Sequence, residues 1–391
     1  MEQRTREYLR GRFGDFYRRA PPADPPDVSA REWGYIPFEA GPSTTMVRHR
    51  SVHDLGSLEA FLVRERPRHV YFSAGHYADP SARTMAEKGW EGSDLIFDLD
   101  ADHLPSVDPA QDTYAEMLAT CKDALVKLLD LLETDFGFEE LSITFSGGRG
   151  YHVHVRDASV QELDRKQRRE IVEYVRGSGL SLESLLTERP VAGRGRKTPA
   201  TQRSLPTEGG WGRRVVSQIR TLTDELRALD RDAAIDRLTD FEGVGEKSAE
   251  AVLSVIEENT AAVKAGNVDV HPAFLPVARA MVQRAVAADA SPIDEPVTTD
   301  THRLIRLPGS LHGGSGLRVV PLDRDEIADF DPLSDAVPRT FRGHEIGIEV
   351  TEPATLTFDG ESLSVSQGYT RVPEYAGIFL MARGQAEKAP E

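Results

Sequence analysis

At 391 residues, with a formal net charge of −17 and a single cysteine, the chain excludes several classes at once. One thiol builds neither an intramolecular disulfide nor a Cys-rich zinc site, no apolar run reaches the ~18 residues of a membrane span, and Met1-Glu2-Gln3-Arg4 leads into charged sequence instead of a signal-peptide core. The length exceeds the roughly 250–300 residues at which a single core stops growing, so two domains of a cytoplasmic protein with no membrane partner are expected.

So acidic a balance ordinarily argues against a nucleic-acid partner, because phosphate binding rests on Lys and Arg. Here Asp and Glu are scattered along the whole chain and Arg far outnumbers Lys, the pattern of a protein kept soluble at high salt by a hydrated acidic surface. Nucleic-acid contacts then have to be local basic patches.

In chain order, 4–19 reads as an amphipathic helix with Leu9, Phe13, Phe16 and Tyr17 on one side, stopped by the Pro-rich stretch 21–26. Two alternating segments, 31–38 and 46–50, read as strands joined by the Gly41-Pro42-Ser43 turn. A helix from Leu58 and a strand Val70-Tyr71-Phe72-Ser73 follow.

The stretch Asp94-Leu95-Ile96-Phe97-Asp98-Leu99-Asp100-Ala101-Asp102 is a short apolar run ending in alternating carboxylates. Its shortness suits a buried strand, in which Asp98 and Asp100 share a face and Leu99 points into the core. Two residues of strand rise separate those carboxylates by about 6.6 Å. That span can bracket two divalent cations about 3.5–4 Å apart; a solvated acidic turn is the plainer reading.

A helical stripe from Tyr114 to Leu132 opens near Asp112 or Thr113 and carries Cys121 as a buried thiol. Then a strand from Leu141 breaks at Ser146-Gly147-Gly148-Arg149-Gly150 and resumes with Tyr151, Val153 and Val155 facing the core. Arg149, His152 and His154 are left to reach a polar site. The glycines let backbone amides approach an anion, with the Ser146 hydroxyl and the Arg149 fork beside them; a glycine-rich hairpin turn is the competing reading.

From Val160 to Pro292 the composition turns helical, which predicts an inserted helical subdomain at 160–292 between two parts of an α/β domain, 1–159 and 293–391. Within it, 189–220 is locally basic, with Arg194, Arg196, Lys197, Arg203, Arg213 and Arg214, and reads either as a template contact or as a linker. Phe241-Glu242-Gly243-Val244-Gly245 resembles a helix-hairpin-helix turn, although the flanking Glu242 and Glu246 favour a turn without a ligand. Beyond Asp294, Leu304-Ile305-Arg306-Leu307 places a cation among buried residues, which demands an anionic partner, and His312 follows on a glycine-rich turn. The tail from Phe341 alternates as strands, closes with a helix near 375–383, and ends in residues expected to be disordered.

Acidic strand, Ser/Gly/Arg/His turn, and a late Asp with Arg and His are the components of nucleotidyl transfer from a triphosphate. Together the Asp98/Asp100 strand, Ser146-Gly147-x-x-Gly150-x-His152, and Arg303-Leu304-Ile305-Arg306-Leu307-Pro308-Gly309-Ser310-Leu311-His312 resemble the catalytic small subunit of archaeal and eukaryotic DNA primases, in a haloarchaeal version. The resemblance implies a mixed-sheet α/β catalytic domain and a metal triad of Asp98, Asp100 and Asp294, with Asp300 competing for the third place. It further implies Mg²⁺ or Mn²⁺, and triphosphate binding by Ser146, Gly147, Arg149, His152, Arg306 and His312. Glu32 and Arg48 match positions near the nucleotide and initiation site. The implied partners are a large primase subunit forming a heterodimer, a single-stranded DNA template, and ribonucleoside or deoxyribonucleoside triphosphates. Relatives often carry a Cys/His zinc module after the acidic strand, and with only Cys121 here structural zinc is doubtful. Two other readings compete: a phosphohydrolase using Asp98 of Asp-x-Asp as nucleophile, and a non-enzymatic DNA-binding subunit using the Gly243 turn.

Overall fold

A computed structural model describes residues 1–38, 45–191 and 200–390. The Gly41-Pro42-Ser43 turn and the basic residues Arg194, Arg196 and Lys197 lie outside them. The chain divides into two compact units, one of residues 1–125, 138–172 and 292–391, the other of 126–137 and 173–291. Among the described residues no helix is long and apolar enough to cross a membrane.

The first unit opens with helix α1 (Gln3–Arg19), which buries Leu9, Phe13, Phe16 and Tyr17. Strands β1 (Arg31–Ile36), β2 (Val47–Arg50), β3 (His69–Tyr77) and β4 (Trp90–Ser93) build one sheet with Leu304–Arg306. Strand β5 (Leu95–Asp100) passes to a second sheet with β6 (Leu141–Phe145), β7 (Gly150–Val155) and Val320–Leu322. Helix α2 (Tyr114–Thr134) starts where Thr113 and Glu116 exchange capping hydrogen bonds, and Cys121 is buried with its Sγ 3.7 Å from the Leu99 carbonyl.

A mixed sheet was the expectation, but every strand pair in both sheets is antiparallel. The connections explain it: β6 returns as β7 through a tight turn, which only antiparallel neighbours permit. The C-terminus also departs from expectation. Ala386–Lys388 pairs with Glu345–Val350 instead of being disordered, because the Glu387 carboxylate receives the Met1 ammonium and the Thr5 hydroxyl, while the Lys388 N–H donates to Thr5 Oγ1.

The second unit is mainly helical. Helices Gly210–Ala228, Glu246–Glu258 and Phe274–Asp289 close on a core that includes Val215, Ile219, Leu222, Val252 and Met281. Gly243 takes φ +79° at the turn before helix Glu246–Glu258. Three described arginines of the basic stretch are engaged by carboxylates, Arg203 by Asp269 at 2.7 Å, Arg214 by Asp130 at 2.7 Å and Asp135 at 3.2 Å, and Arg213 by Asp135 at 3.7 Å, while Arg220 donates to the Lys264 carbonyl at 2.9 Å.

Asp94, the residue between β4 and β5, has no exposed surface. Arg31 reaches it at 3.1 Å from β1, while His154 at 3.4 Å and Arg156 at 3.2 Å reach it from the end of β7. Burial alone would raise this carboxyl, but the His154 hydrogen bond and the charges of Arg31 and Arg156 outweigh it and hold the group well below the usual carboxylate range. Its contribution is therefore present at neutral pH and is lost as pH falls below about 4. Asp94→Ala, which strands two arginines, is expected to cost about 3–5 kcal/mol in urea unfolding at pH 7 in molar KCl; a loss below about 1 kcal/mol would remove Asp94 from its role as a fastening between the sheets.

Candidate active site

Antiparallel register fixes the first part of the site. Asp98 of β5 lies opposite His152 of β7, which lies opposite Thr144 of β6, so the three side chains share one face. His152 Nε2 stands 3.4 Å from Asp98 Oδ1. Asp100 lies opposite Gly150, and that glycine is required by close approach, since a Cβ there would stand 1.7 Å from the Leu99 carbonyl oxygen.

The glycine-rich turn is held from three sides. Ser146 Oγ accepts the Gly148 N–H at 3.3 Å, the Tyr114 hydroxyl donates to the Gly148 carbonyl at 2.5 Å, and the Ser315 hydroxyl donates to the Gly147 carbonyl. Gly147 has φ +74°, and a Cβ on it would meet His312 Cβ at 2.7 Å. Arg149 leans back over the acidic strand, 2.5 Å from Asp102 and 3.8 Å from Asp100.

The late stretch arrives through a backbone bond, as the Asp294 N–H donates to the Asp98 carbonyl at 3.0 Å. Asp294 stands at the N-cap position of the helix Glu295–Thr299 with no side-chain capping bond. The competing Asp300 spends its carboxylate on the His302 N–H at 2.9 Å. Arg306 lies opposite Tyr71 of β3, donates to the Tyr71 hydroxyl at 3.2 Å, and stacks its guanidinium 5.4 Å from that ring. His312 accepts the Gly314 N–H at Nδ1, 3.1 Å away, so the proton of the neutral ring resides on Nε2, which faces Gly148.

Electrostatics set this cluster apart. Burial first, then Asp100 and Asp294, push the Asp98 carboxyl up to about 6. His152 is pushed down to about 3 by burial, with Arg306 and Arg303 adding to it, and burial with Arg306 lowers His312 far below its ordinary value. Both imidazoles are thus neutral at pH 7. His152 Nδ1 and Arg306 Nε are buried without a hydrogen-bond partner, which is costly unless a ligand completes them.

The carboxylate set fits a divalent cation by charge, since Asp98 ionises only against the repulsion of its two neighbours. Among the described residues no group of three or more His, Cys, Asp or Glu side chains is close enough together to hold a metal ion by itself. Mg²⁺ is commonly held by one or two carboxylates with substrate phosphates and water completing the shell, which suits an open acidic cluster of this kind.

Two predicted positions lie elsewhere in the first sheet. Glu32 is 1% exposed and receives Arg48 at 3.1 Å, Lys88 at 3.3 Å and the His49 N–H at 3.1 Å. Burial alone would raise its carboxyl, but these partners lower it. His154, expected to reach the polar site, instead bonds Asp94 and stacks on Phe72 at 5.7 Å. Sequence reasoning missed Asp94, Tyr71, His69 and Tyr114; only the polarity of Asp94 within a buried run gave a signal.

The Asp98 penalty has a sign. A carboxyl raised from 3.8 to about 6 costs nothing below pH 3.8, and its destabilisation grows as pH rises and is complete above about pH 6, at most ~3 kcal/mol. In the metal-free protein Asp98→Asn should therefore melt higher than the parent at pH 8, the gain vanishing near pH 4. An equal or lower melting temperature at pH 8 contradicts a cost of ionising Asp98 from burial and its acidic neighbours.

A family model described as DNA primase small subunit matches residues 97–324. Proteins named DNA primase small subunit PriS are 63% identical over 391 residues in Halobacterium salinarum, 58% over 392 in Haloarcula marismortui, and 39% over 397 in Methanococcoides burtonii. Each alignment covers 100% of this chain and 100% of the relative. With the family model spanning more than half of the chain and these relatives matching its whole length, the chain belongs to the DNA primase small subunit family.

Proposed function

We propose that this chain is the catalytic subunit of a DNA primase, a nucleotidyltransferase making short RNA primers on single-stranded DNA for replication. The observation that supports this reading is the Asp294 N–H bonded to the Asp98 carbonyl, a backbone bond that ties the late segment to the acidic strand across a long sequence separation. Family membership supplies the reaction class.

In this reading Asp98, Asp100 and Asp294 hold Mg²⁺ or Mn²⁺. When bound, such cations supply a lowered pKa at the attacking 3′-hydroxyl and positive charge for the triphosphate. Ser146 and the Gly147 turn offer a hydroxyl and backbone amides to the phosphates. Arg149 would exchange Asp102 for a phosphate oxygen. Arg306 donates from its unpartnered Nε, and His312 from Nε2, toward the leaving pyrophosphate, with the neutral His152 beside them. Cationic and dipolar groups of this kind stabilise charge that grows in the transition state, so no covalent intermediate on the protein is needed.

Glu32 and Arg48 are assigned to the initiation site, where buried Glu32 orients the 40% exposed Arg48 side chain. We read residues 160–292 as a helical subdomain inserted into the α/β primase domain of 1–159 and 293–391; the helical content of 173–291 supports this. A large primase subunit as heterodimer partner, a single-stranded DNA template, ribonucleoside or deoxyribonucleoside triphosphates, and a cytoplasmic location complete the proposal.

The test is de novo synthesis on single-stranded DNA by the full chain in high KCl with Mg²⁺ or Mn²⁺, alone and with the large subunit. Asp98→Ala and Asp100→Ala should each lose more than about 10²-fold in rate while folding normally. Parental rates in both variants would refute the metal site. Silence of parent and variants alike, with DNA binding intact, would transfer the chain to the class of non-enzymatic DNA-binding subunits.

A further inference from the structure

His69, the first residue of β3, stands apart from every motif, yet it touches both halves of the late stretch. Its Nδ1 lies 3.4 Å from Arg306 Nη1 and 3.3 Å from the Gly313 N–H. Its ring meets the His312 ring edge to face at 5.0 Å, and Tyr71 lies 6.0 Å to the other side. The adjoining Arg68 donates from Nε to the Gly313 carbonyl at 3.2 Å. Gly313 has no room for a side chain there: a Cβ would meet Arg68 Cγ at 2.2 Å and His69 Nε2 at 2.9 Å.

Both neighbours of Nδ1 are donors, since a guanidinium and a backbone N–H have no lone pair to offer. Nδ1 must therefore be the bare nitrogen and Nε2 must carry the ring proton. One acceptor atom then sets two things together, the direction of the Arg306 guanidinium and the position of the turn that presents His312. With Nη1 committed to His69 and Tyr71, Arg306 is left with an unpartnered Nε. A guanidinium on a flexible stem loses less freedom on binding when its direction is set in advance.

We infer that His69 is a positioning residue of the triphosphate site, with Nδ1 holding Arg306 and the His312–Gly314 turn as one preorganised phosphate-binding element. This rests on the primase reading for the identity of the anion, a nucleoside triphosphate.

The asparagine side chain can place an acceptor oxygen close to where His69 has Nδ1, whereas glutamine carries its acceptor farther out, near Nε2. His69→Asn and His69→Gln in the full chain are compared by equilibrium binding of ATP with Mg²⁺ in high KCl, by KM and kcat in primer synthesis, and by melting temperature. The inference expects His69→Gln to weaken ATP binding and raise KM by about tenfold, with kcat within about threefold of the parent and an unchanged melting temperature, and His69→Asn to restore both within about threefold. Parental binding and KM in His69→Gln overturn the inference and leave the primase reading standing. Equal losses in both variants with a lowered melting temperature assign His69 a merely structural role and overturn it too. A parent that neither binds ATP nor synthesises primers overturns the primase reading itself, and this inference with it.

Discussion

Asp94 is a carboxylate with no exposed surface, set at the one residue between β4 and β5 where the chain leaves the first sheet for the second. Arg31 holds it from the first sheet, and His154 and Arg156 hold it from β7 and its end. Its own backbone is tied as well, the N–H donating to the Ala74 carbonyl and the carbonyl accepting from Arg168 at 2.9 Å. A buried charge is tolerated only when its lone pairs are filled, and here the filling groups come from both sheets. Asp98 lies four residues further along, in β5, so its placement against His152 follows the register that begins beside Asp94.

The candidate active site is built on the opposite principle. At Asp94 cations are gathered around one carboxylate; at Asp98 carboxylates are gathered with too little positive charge, and the group is pushed toward its neutral form. Nearby, His152 Nδ1 and Arg306 Nε are buried without partners. Each is a local cost that a metal ion or phosphate would relieve, which is how a site stores binding preference in its free state. The surrounding scaffold offsets that cost: Phe97 and Leu99 are fully buried behind the acidic strand, and Tyr114 and Ser315 clamp the glycine turn.

The legible parts of this molecule were those in which chemistry and local structure share one short window. Asp98 and Asp100 are two residues apart on a strand, and Ser146 to His152 span one hairpin, so alternation and glycine spacing reveal them. Arg306 was legible as a charge in an apolar run, though its contacts, the Tyr71 hydroxyl and His69, come from a distant strand. What stayed hidden depends on pairing between distant segments. His154 read as a site residue because alternation gives a face and not what that face meets, and it meets Asp94 and Phe72. The terminal strand was hidden for the same reason: Ala386–Lys388 is too short to signal by itself and is held by Thr5 at the other end of the chain.

The charge balance connects this architecture to its setting. The chain's 47 Lys and Arg against 64 Asp and Glu give −17, and the two most similar of the relatives named above are haloarchaeal proteins. In molar salt the screening length falls to about 3 Å, so exposed charges act only on what they touch. An acidic surface then neither repels a DNA template over distance nor steers a triphosphate inward. Recognition must be carried by groups at contact range, shielded from salt by burial. The buried donors of this site meet that condition, because the Arg306 guanidinium and the neutral His312 imidazole are sunk between β3 and the glycine turn and held by neutral partners, the Tyr71 hydroxyl, the His69 ring and backbone N–H groups, that salt does not screen. A site that relied on exposed lysines would have its hold on phosphate weakened under the same conditions, whereas a guanidinium fixed in a buried fork keeps its directed donors.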